Sequence, residues 1–241
     1  MNYIYGLNKS GISIVKYFLK HKIKFSYWDD DYNVKNYLKK IFNKIYFIEP
    51  KTKNLIKFRN IYLSPGISIY KKKFQALRKL RLLKRDLNIY YENITRQKII
   101  AITGTNGKST TTKLIGDILK KKYLKIFVGG NIGKPLCDSF LSPITYTHHV
   151  IELSSFQLEL IKNFNPKISI ILNLSPDHMD RYKNMQNYIK QKKNIINNND
   201  NGYNLISLDD RYSAKLSENN NIKNKITFST YNSEADIYMN G

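Results

Sequence analysis

The chain has 241 residues, enough for one large domain or two ordinary ones, and 41% of them are apolar, which supports sizeable cores. Its single cysteine, Cys137, excludes a disulfide framework. No apolar run approaches the roughly 18 residues of a membrane-spanning helix, and the first residues lack the layout of a signal peptide. We therefore expect a soluble, cytoplasmic protein of two domains without a membrane partner.

The net charge of +23 raises nucleic acid as a partner. Two features argue against a specific site. The basic residues are mostly lysine rather than the arginine that reads bases, and they are scattered over predicted helices and turns. Runs such as 71–73 and 120–122 are typical of solvated helix faces. We expect no specific nucleic-acid partner, with nonspecific RNA affinity at low salt as a side effect of the charge.

Short apolar strands alternate with amphipathic helices through the first ninety residues. Strands are predicted at 3–5, 24–28 and 60–63, and helices at about 12–21 and 34–42. This alternation predicts an α/β fold with a parallel, Rossmann-like sheet. The polar, unpatterned segment from 92 to 97 predicts the boundary between a first domain, 1–93, and a second, 94–241.

The first turn, from Gly6 to Gly11, has the spacing of a dinucleotide-binding loop, with Asn8 in place of the middle glycine. Asparagine tolerates positive φ better than most residues, so we expect the turn to form. The backbone then approaches a diphosphate less freely than it does with glycine. A purely structural turn remains the alternative.

Two more segments of the first domain are candidates for ligand contact. Asp29 and Asp30 follow the second strand at the distance where an acidic side chain meets a ribose hydroxyl; a pair of helix-starting carboxylates is the alternative. Residues 64–67, Ser-Pro-Gly-Ile, follow the strand 60–63. Ligands of open α/β sheets bind at such carboxyl ends of strands.

Residues 104–110 read Gly-Thr-Asn-Gly-Lys-Ser-Thr, between a predicted strand at 98–103 and a predicted helix at 110–122. Backbone N–H groups of such a turn and the helix N-terminus point at one spot, where Lys108 reaches a terminal phosphate and Ser109 a Mg²⁺ ion. Only the shorter pattern G-x-x-G-K-[ST] is met, and a turn that merely joins a strand to a helix is the alternative. The predicted nucleoside triphosphate site comprises Gly104, Thr105, Asn106, Gly107, Lys108, Ser109 and Thr110.

The second domain continues the alternation, with further strands predicted near 125–128, 146–152, 168–173 and 203–207. Glu152 ends one of these strands, beside the phosphate loop in the same sheet, where Mg²⁺ needs an oxygen ligand. The alternative is an acidic residue that helps to start the next helix, for which Ser154 is the predicted cap.

A charged group follows the strand at 168–173: Asp177, His178, Asp180 and Arg181 lie within one turn. Such a group can ligate a metal and orient phosphate at once, although a histidine on a loop is more often a surface or capping residue.

The next predicted helix places Tyr188, Lys192 and Ile195 on one face. An inward-facing lysine indicates a functional reason for its position.

These segments together resemble the Mur ligases. The resemblance rests on GTNGKST at 104–110, GGNIGKP at 129–135, ELSSFQLE at 152–159 and LNLSPDHMDRY at 172–182. GTNGK is shared with folylpolyglutamate synthases, whereas ELSSFQLE points to the D-glutamate-adding branch. The first domain resembles the UDP-binding domain of the family at 6–11 and 64–66, so the resemblance spans the whole chain.

The resemblance implies ATP-driven amide formation in cytoplasmic peptidoglycan precursor synthesis. The L-alanine carboxylate of UDP-N-acetylmuramoyl-L-alanine attacks the γ-phosphate of ATP to give an acyl phosphate, from which the amine of D-glutamate displaces phosphate. No side-chain nucleophile is needed, and catalysis consists of positioning and charge neutralisation.

The resemblance also implies roles for individual residues. Lys108 and Ser109 hold the phosphates and one Mg²⁺, Glu152 is a ligand of the same ion, and His178 binds a second Mg²⁺. The Y-I-x-x-K pattern selects Lys192 as the carbamylated lysine of the family, an anion suited to metal ions. The residues implied for the UDP-sugar site are Lys9, Ser10, Asp29, Ser64, Gly66 and Asn131.

The family continues with the rest of the central domain and a third domain that binds the incoming amino acid. Because the sequence stops at Gly241, we expect an incomplete central domain, no third domain, and a monomer that needs a complementing carboxyl-terminal segment for turnover. Two alternatives stay open: a remnant that binds nucleotide or UDP-sugar without turnover, and a basic P-loop protein associated with nucleic acid.

Overall fold

The computed structural model describes residues 1–41, 46–122 and 125–239. The chain forms two compact units, one of residues 1–93 with 135–143 and the other of 94–134 with 144–241. The segment 135–143, which the sequence predicts within the second domain, therefore clusters with the first unit. Its short 3-10 helix, Leu136–Phe140, packs against the first helix of that unit. That residues 1–93 and 94–241 fold as separate domains stays a prediction.

The first unit is a five-stranded parallel sheet in the order β3-β2-β1-β4-β5. Its strands are β1 (Asn2–Tyr5), β2 (Phe25–Trp28), β3 (Tyr46–Phe47), β4 (Asn60–Leu63) and β5 (Leu83–Lys84). Its helices are α1 (Lys9–Lys20), α2 (Tyr32–Ile41), α3 (Thr52–Leu55), α4 (Gln75–Lys79) and α5 (Asp86–Asn93), with a 3-10 turn at Lys72–Phe74.

Helical spacing of apolar residues explains how α1 covers this sheet. Ile14, Val15 and Phe18 lie on one face of the helix and are buried against Ile4 of β1 and Tyr62 of β4. The three predicted strands are confirmed to within a residue. The helix predicted at 34–42 spans Tyr32–Ile41, and its predicted last residue lies outside the described residues.

The second unit is a seven-stranded parallel sheet in the order β12-β11-β10-β9-β6-β8-β7. Its strands are β6 (Lys98–Thr103), β7 (Ile126–Gly130), β8 (His148–Glu152), β9 (Ile168–Ile171), β10 (Tyr203–Ser207), β11 (Lys225–Ser229) and β12 (Ile237–Tyr238). Its helices are α6 (Lys108–Lys122), α7 (Ser155–Leu158), α8 (Met179–Tyr182), α9 (Met185–Lys192) and α10 (Arg211–Ser217), and a 3-10 turn at Lys193–Ile195 follows α9.

Two helices of the second unit can be compared with their predicted starts. Helix α6 begins at Lys108 rather than at Thr110, so the lysine and the serine of the phosphate loop belong to its first turn. The predicted capping box forms, since Ser154 accepts from the backbone of Gln157 and the Gln157 side chain accepts from the Ser154 amide. Helix α7 is nevertheless only four residues long.

In-register parallel pairing fixes what lies at the carboxyl edge of this sheet. β6 pairs with β8 on one side and β9 on the other, with Ile102 opposite Glu152 and Thr103 opposite Ile171. The phosphate loop, Glu152 and the turn after β9 therefore leave the sheet side by side. Among the described residues, no helix is long and apolar enough to cross a membrane.

Gly130 shows why the end of β7 requires glycine. Its φ is +112°, and a Cβ added there would lie 2.2 Å from the carbonyl oxygen of Glu152. The neighbouring Gly133 also has positive φ, +59°, but a Cβ there meets nothing within 4 Å.

We expect Gly130→Ala to lower the free energy of unfolding by more than about 3 kcal/mol, because strain and a backbone clash add together. Gly133→Ala is the matched control and is expected to cost only about 1 kcal/mol, the cost of the left-handed region for a residue with a Cβ. Urea unfolding of both variants measures the difference. Equal losses would contradict the close approach of β7 to β8.

Candidate functional site

The phosphate loop of the second unit has the geometry of an anion site. Gly107 adopts φ +77°, which turns the chain from β6 into α6, and a Cβ at Gly104 would lie 3.0 Å from Cβ of Leu172. The first-turn amides of a helix have no partner within the helix and carry the positive end of its dipole. Lys108 Nζ donates to the Thr105 carbonyl at 2.8 Å, so its ammonium lies over the loop.

Asn173, which the sequence analysis did not single out, anchors this loop. Its Oδ1 accepts from the amides of Thr105 at 3.1 Å and Asn106 at 2.8 Å, and its Nδ2 donates to the Asn106 carbonyl at 3.1 Å. One side chain after β9 thus fixes the first half of the loop. A polar residue at the carboxyl end of a strand beside the loop was the signal that could have revealed it.

Ser109, Asn131 and Glu152 form one hydrogen-bonded group. Ser109 Oγ donates to Glu152 Oε2 at 2.7 Å, and Asn131 Nδ2 donates to Glu152 Oε1 at 2.8 Å. The Asn131 amide also donates to the Glu152 carbonyl at 2.9 Å, which fixes the turn after β7 on β8. Asn131, a residue implied for the UDP-sugar site, therefore lies on the carboxylate implied for Mg²⁺.

The donor set of this group fits a hard cation such as Mg²⁺. The Ser109 hydroxyl and the Glu152 carboxylate are neighbouring oxygens next to the phosphate loop, and Mg²⁺ is commonly held by one or two carboxylates together with water and phosphate oxygens. Across residues 1–41, 46–122 and 125–239, no three His, Cys, Asp or Glu side chains are grouped as a metal site. The chain's own residues thus fit an ion that is shared with a phosphate.

Lys192 lies buried below the phosphate loop. Its side chain is almost fully buried, and Nζ donates to the Gly104 carbonyl at 2.6 Å and to Thr103 Oγ1 at 3.2 Å. Nζ also lies 4.8 Å from the ring centroid of Tyr188. The predicted inward face of this segment is confirmed, since Tyr188, Lys192 and Ile195 are all buried.

Burial is the main cause that lowers the pKa of Lys192 to about 7. The Lys108 ammonium lowers this pKa further, whereas the Asp177 and Glu152 carboxylates act in the opposite direction. Near neutral pH, a substantial share of Lys192 is therefore an uncharged amine. An uncharged amine is a nucleophile, which an ordinary lysine at this pH is not.

Among the described residues, no hydrogen bond joins His178 to the group of Ser109, Asn131 and Glu152. It adopts left-handed backbone angles, φ 55° and ψ 37°, as the residue before α8. Its Nε2 lies 3.4 Å from Asp177 Oδ2 and its ring packs on Phe156 with centroids 4.7 Å apart. About half of the side chain is exposed. The predicted role of His178 as a ligand of the second Mg²⁺ stays a prediction.

Arg181, one of the charged group considered for metal and phosphate, pairs with a carboxylate of the chain. Its guanidinium forms a bidentate pair with Glu159, Nε to Oε1 at 2.9 Å and Nη2 to Oε2 at 2.7 Å. Both side chains are nearly buried, and Tyr182 Oη donates to the same carboxylate at 3.1 Å. The pair joins α8 to the residue after α7, and each buried charge compensates the other.

The candidate turns of the first unit are built around Gly6. The amide of Leu7 donates to Asp29 Oδ2 at 2.5 Å, and Ser64 Oγ donates to the Gly6 carbonyl at 2.6 Å. Asp29 Oδ1 accepts from the amide of Asp31 at 2.8 Å, so this carboxylate braces two backbone turns. Asn8 has an ordinary φ of −70°, and the positive φ considered for it does not occur.

Lys9, Ser10 and Gly66 complete the predicted set in the first unit. Lys9 and Ser10 open helix α1, where Lys9 is exposed and Ser10 is partly exposed. Gly66 is exposed, and a Cβ there would meet nothing within 4 Å. These residues therefore lie where a ligand can reach them.

A second polar cluster of the first unit joins Asp30, a candidate from the sequence, to Tyr5 and Lys73, which the sequence analysis missed. Lys73 Nζ donates to Tyr5 Oη at 2.6 Å, and Tyr5 Oη donates to the Asp30 carboxylate at 2.7 Å. Asp30 and Lys73 line a cavity of about 450 Å³ together with Trp28. The sequence predicts Tyr5 as part of an apolar strand, and this pattern gives no indication that its hydroxyl belongs to a polar cluster.

A parallel α/β fold with a glycine-rich loop between a strand and a helix, beside a carboxylate, is typical of nucleotide-binding proteins of the P-loop type. Residues 102–240 match the family model of the Mur ligase middle domain, and residues 2–82 match that of the Mur ligase MurD-like N-terminal domain. The chain belongs to the Mur ligase family.

The chain is similar to curated proteins named UDP-N-acetylmuramoylalanine–D-glutamate ligase. The protein of Caldicellulosiruptor bescii is 36% identical over 88% of this chain and 48% of its own length. That of Wolbachia pipientis wMel is 41% identical over 80% of this chain and 38% of its own length. The chain thus spans about half the length, or less, of these curated relatives.

Two solved structures share the fold. The UDP-N-acetylmuramate:L-alanyl-gamma-D-glutamyl-meso-diaminopimelate ligase from Neisseria meningitides has a TM-score of 0.60 at 14% identity and covers 97% of this chain and 82% of its own. UDP-N-acetylmuramate-alanine ligase from Thermotoga maritima has a TM-score of 0.51 at 20% identity, covering 96% of this chain and 53% of its own. The predicted fold class, parallel α/β, is confirmed.

The low pKa of Lys192 predicts a pH-dependent stability. Below about pH 7 the fold must bury an ammonium, whereas an unfolded lysine keeps its proton up to about its ordinary pKa of 10.5. The free-energy cost of burying Lys192 on folding is therefore largest below pH 7 and decreases as the pH rises toward 10.5. Lys192→Met is expected to raise the melting temperature of the ligand-free chain, and by more at pH 6.5 than at pH 9.

Thermal unfolding in carbon-dioxide-free buffer measures this difference. Lys193→Met is the matched control, since Lys193 is only partly buried and its effect is expected to be independent of pH. A pH-independent effect of Lys192→Met would contradict the burial of an ionisable amine at this position.

Proposed function

We propose that the chain supplies the UDP-sugar-binding and ATP-binding parts of an ATP-dependent ligase that adds D-glutamate to UDP-N-acetylmuramoyl-L-alanine. The observation that carries the proposal is the phosphate loop with Ser109 on Glu152 and the buried Lys192 below it. The identity of 36–41% with ligases named for this reaction supports the choice of substrates. The reaction belongs to cytoplasmic peptidoglycan precursor synthesis, and the protein acts as a monomer away from membranes and nucleic acid.

The chain's own residues bind and orient the triphosphate. The amides of residues 107–110 and the Lys108 ammonium hold the terminal phosphates, which neutralises charge on the phosphoryl group being transferred. Asn173 keeps the loop in the shape that presents these donors. Lys108 Nζ, which donates to the Thr105 carbonyl at 2.8 Å, is already next to the loop that would hold the phosphates.

Two steps form the amide bond. The L-alanine carboxylate oxygen of the substrate bonds to the γ-phosphorus as ADP leaves, which gives an acyl phosphate. The D-glutamate amine then bonds to the acyl carbon, the bond from carbon to the phosphate oxygen breaks, and the amine loses a proton. No side chain forms a covalent intermediate, so the chain contributes proximity and charge.

The resemblance to the family, rather than the geometry, supports the assignment of residues to two Mg²⁺ ions. Ser109 and Glu152 would hold one ion, and His178 with Lys192 in its carbamylated form would hold the second. When bound, Mg²⁺ supplies Lewis-acid stabilisation of the phosphate oxygens. Carbamylation suits Lys192, because its uncharged amine adds to carbon dioxide and the product is an anion.

The UDP-sugar belongs to the first unit in this proposal. Lys9 and Ser10, at the start of α1, offer a side-chain cation and first-turn amides to an anionic group. Ser64 and Gly66 form the adjoining turn, and Asp29 braces the turn at Leu7. The role of Asn131 at the UDP-sugar stays a prediction from the resemblance; in the second unit its side chain donates to Glu152.

Binding and turnover test the function. Isothermal titration is expected to show Mg·ATP binding that Lys108→Ala weakens at least about tenfold, a change of about 1.4 kcal/mol. Lys113→Ala, an exposed lysine of the same helix, is the control and is expected to leave affinity unchanged. Phosphate release is then followed with UDP-N-acetylmuramoyl-L-alanine and D-glutamate, with and without the remainder of the Caldicellulosiruptor relative as a separate chain.

Phosphate release that depends on D-glutamate and is lost in Lys108→Ala supports the ligase. Binding of both ligands without release in either mixture supports a binding protein without turnover. Absence of Mg·ATP binding would contradict the assignment of residues 104–110 as a P-loop. RNA binding with sequence preference at physiological salt would favour the nucleic-acid alternative.

Carbamylation has a separate test. The chain equilibrated with ¹³C-bicarbonate at pH 8 is expected to show one carbamate carbon resonance that Lys192→Met removes and Lys193→Met retains. The neutral amine of Lys192 is the physical reason, since an exposed lysine at this pH is almost fully protonated. A resonance that survives in Lys192→Met would assign the modification elsewhere.

A further inference from the structure

Arg85 lies fully buried at the end of β5, where a guanidinium is costly unless its donors are used. Nη1 donates to the carbonyl of Leu63 at 3.0 Å and of Ser64 at 2.6 Å, and Nη2 donates to the carbonyl of Ile67 at 3.0 Å. The cation therefore gathers three backbone carbonyls of one short turn, residues 63–67. Only the planar fork of arginine presents several donors in this fixed arrangement.

The backbone of Arg85 is held in place as well. Its amide donates to Asn88 Oδ1 at 2.7 Å, and the Asn88 amide donates back to the Arg85 carbonyl at 3.1 Å. These bonds cap helix α5 and set the position from which the side chain reaches the turn. The backbone from which the guanidinium extends is therefore held in place.

The turn held by Arg85 packs directly on the Gly6 turn. The amide of Ser64 donates to the Tyr5 carbonyl at 2.9 Å, and its hydroxyl donates to the Gly6 carbonyl at 2.6 Å. A Cβ at Gly6 would lie 2.7 Å from Cδ1 of Ile67. A displacement of residues 63–67 is therefore transmitted to Gly6, and the two turns behave as one body.

We propose that Arg85 is a positioning residue for the UDP portion of the substrate. It draws the carbonyls of residues 63–67 toward the interior and so keeps Gly66, at the exposed side of the turn, facing the ligand. The inference rests on the proposed function, because Ser64 and Gly66 are the turn residues assigned there to the UDP-sugar. Arg85 itself touches no ligand.

A merely structural arginine would have a different signature. It would lower the melting temperature when replaced, but in the folded protein it would leave the affinity for UDP unchanged. A positioning residue changes that affinity at temperatures well below the transition. It leaves ATP affinity unchanged, since the phosphate loop belongs to the second unit.

The test compares Arg85→Met, Arg85→Lys and the control Arg59→Met, an exposed arginine of the same unit. Isothermal titration at 15 °C uses UDP and Mg·ATP as probes. Arg85→Met is expected to weaken UDP binding about tenfold or more with ATP binding within twofold of the parent. Arg85→Lys is expected to recover part of the loss, because an ammonium reaches fewer of the three carbonyls, and Arg59→Met is expected to change neither affinity.

Hydrogen exchange without ligand provides the second readout. Peptides that contain residues 63–67 and Gly6 are expected to exchange faster in Arg85→Met than in the parent, while peptides of the phosphate loop stay unchanged. If Arg85→Met does not fold, Arg85→Lys carries the same comparison against the parent.

Unchanged UDP affinity, unchanged exchange in these two turns, or an equal loss of ATP affinity would each overturn the inference. A parent chain that binds Mg·ATP but not UDP would instead remove the proposed UDP site. In that case the hydrogen-exchange result still decides whether Arg85 holds the turn at residues 63–67 in place. Failure of the inference and failure of the proposed function are therefore distinguishable.

Discussion

Parallel, in-register pairing of β9, β6 and β8 is the constraint on which the candidate site depends. It sends three chain segments out of the sheet at neighbouring points, so Glu152 meets Ser109 and Asn173 meets the loop backbone without any long side chain. A shift of register by one residue would turn each side chain to the other face of the sheet. Gly130 belongs to the same constraint, because its missing Cβ lets β7 approach β8.

In each unit, a buried basic side chain donates to the backbone of a turn that is proposed to bind a ligand. Lys192 donates to the carbonyl of Gly104 below the phosphate loop, and Arg85 donates to the carbonyls of Ser64 and Ile67. Carbonyls turned inward need buried donors, because unpaired polar groups are costly away from water. The two side chains differ in how burial affects their charge. Arginine stays charged and fixes geometry, whereas burial lowers the pKa of Lys192 to about 7.

Much of the fold was predictable because the period of apolar residues is a local signal. The strands at 98–103 and 203–207 and the buried face of Tyr188 and Lys192 follow from that signal, and the structure confirms them. The start of α6 at Lys108 was predicted two residues late, since helix ends depend on turn geometry that composition encodes weakly. The pairing of Arg181 was not predictable for another reason: its partner Glu159 lies 22 residues away.

The sequence by itself determined the two α/β sheets, the phosphate loop at 104–110 and the likeness to Mur ligases, because motifs and periodicity are properties of adjacent residues. Only the tertiary structure decided which polar side chains meet. It joined Asn131 to Glu152, placed Asn173 on the loop and set Arg85 behind Ser64. Such pairings depend on strand order and register, which bring together residues far apart in the chain, and no local pattern records those distances.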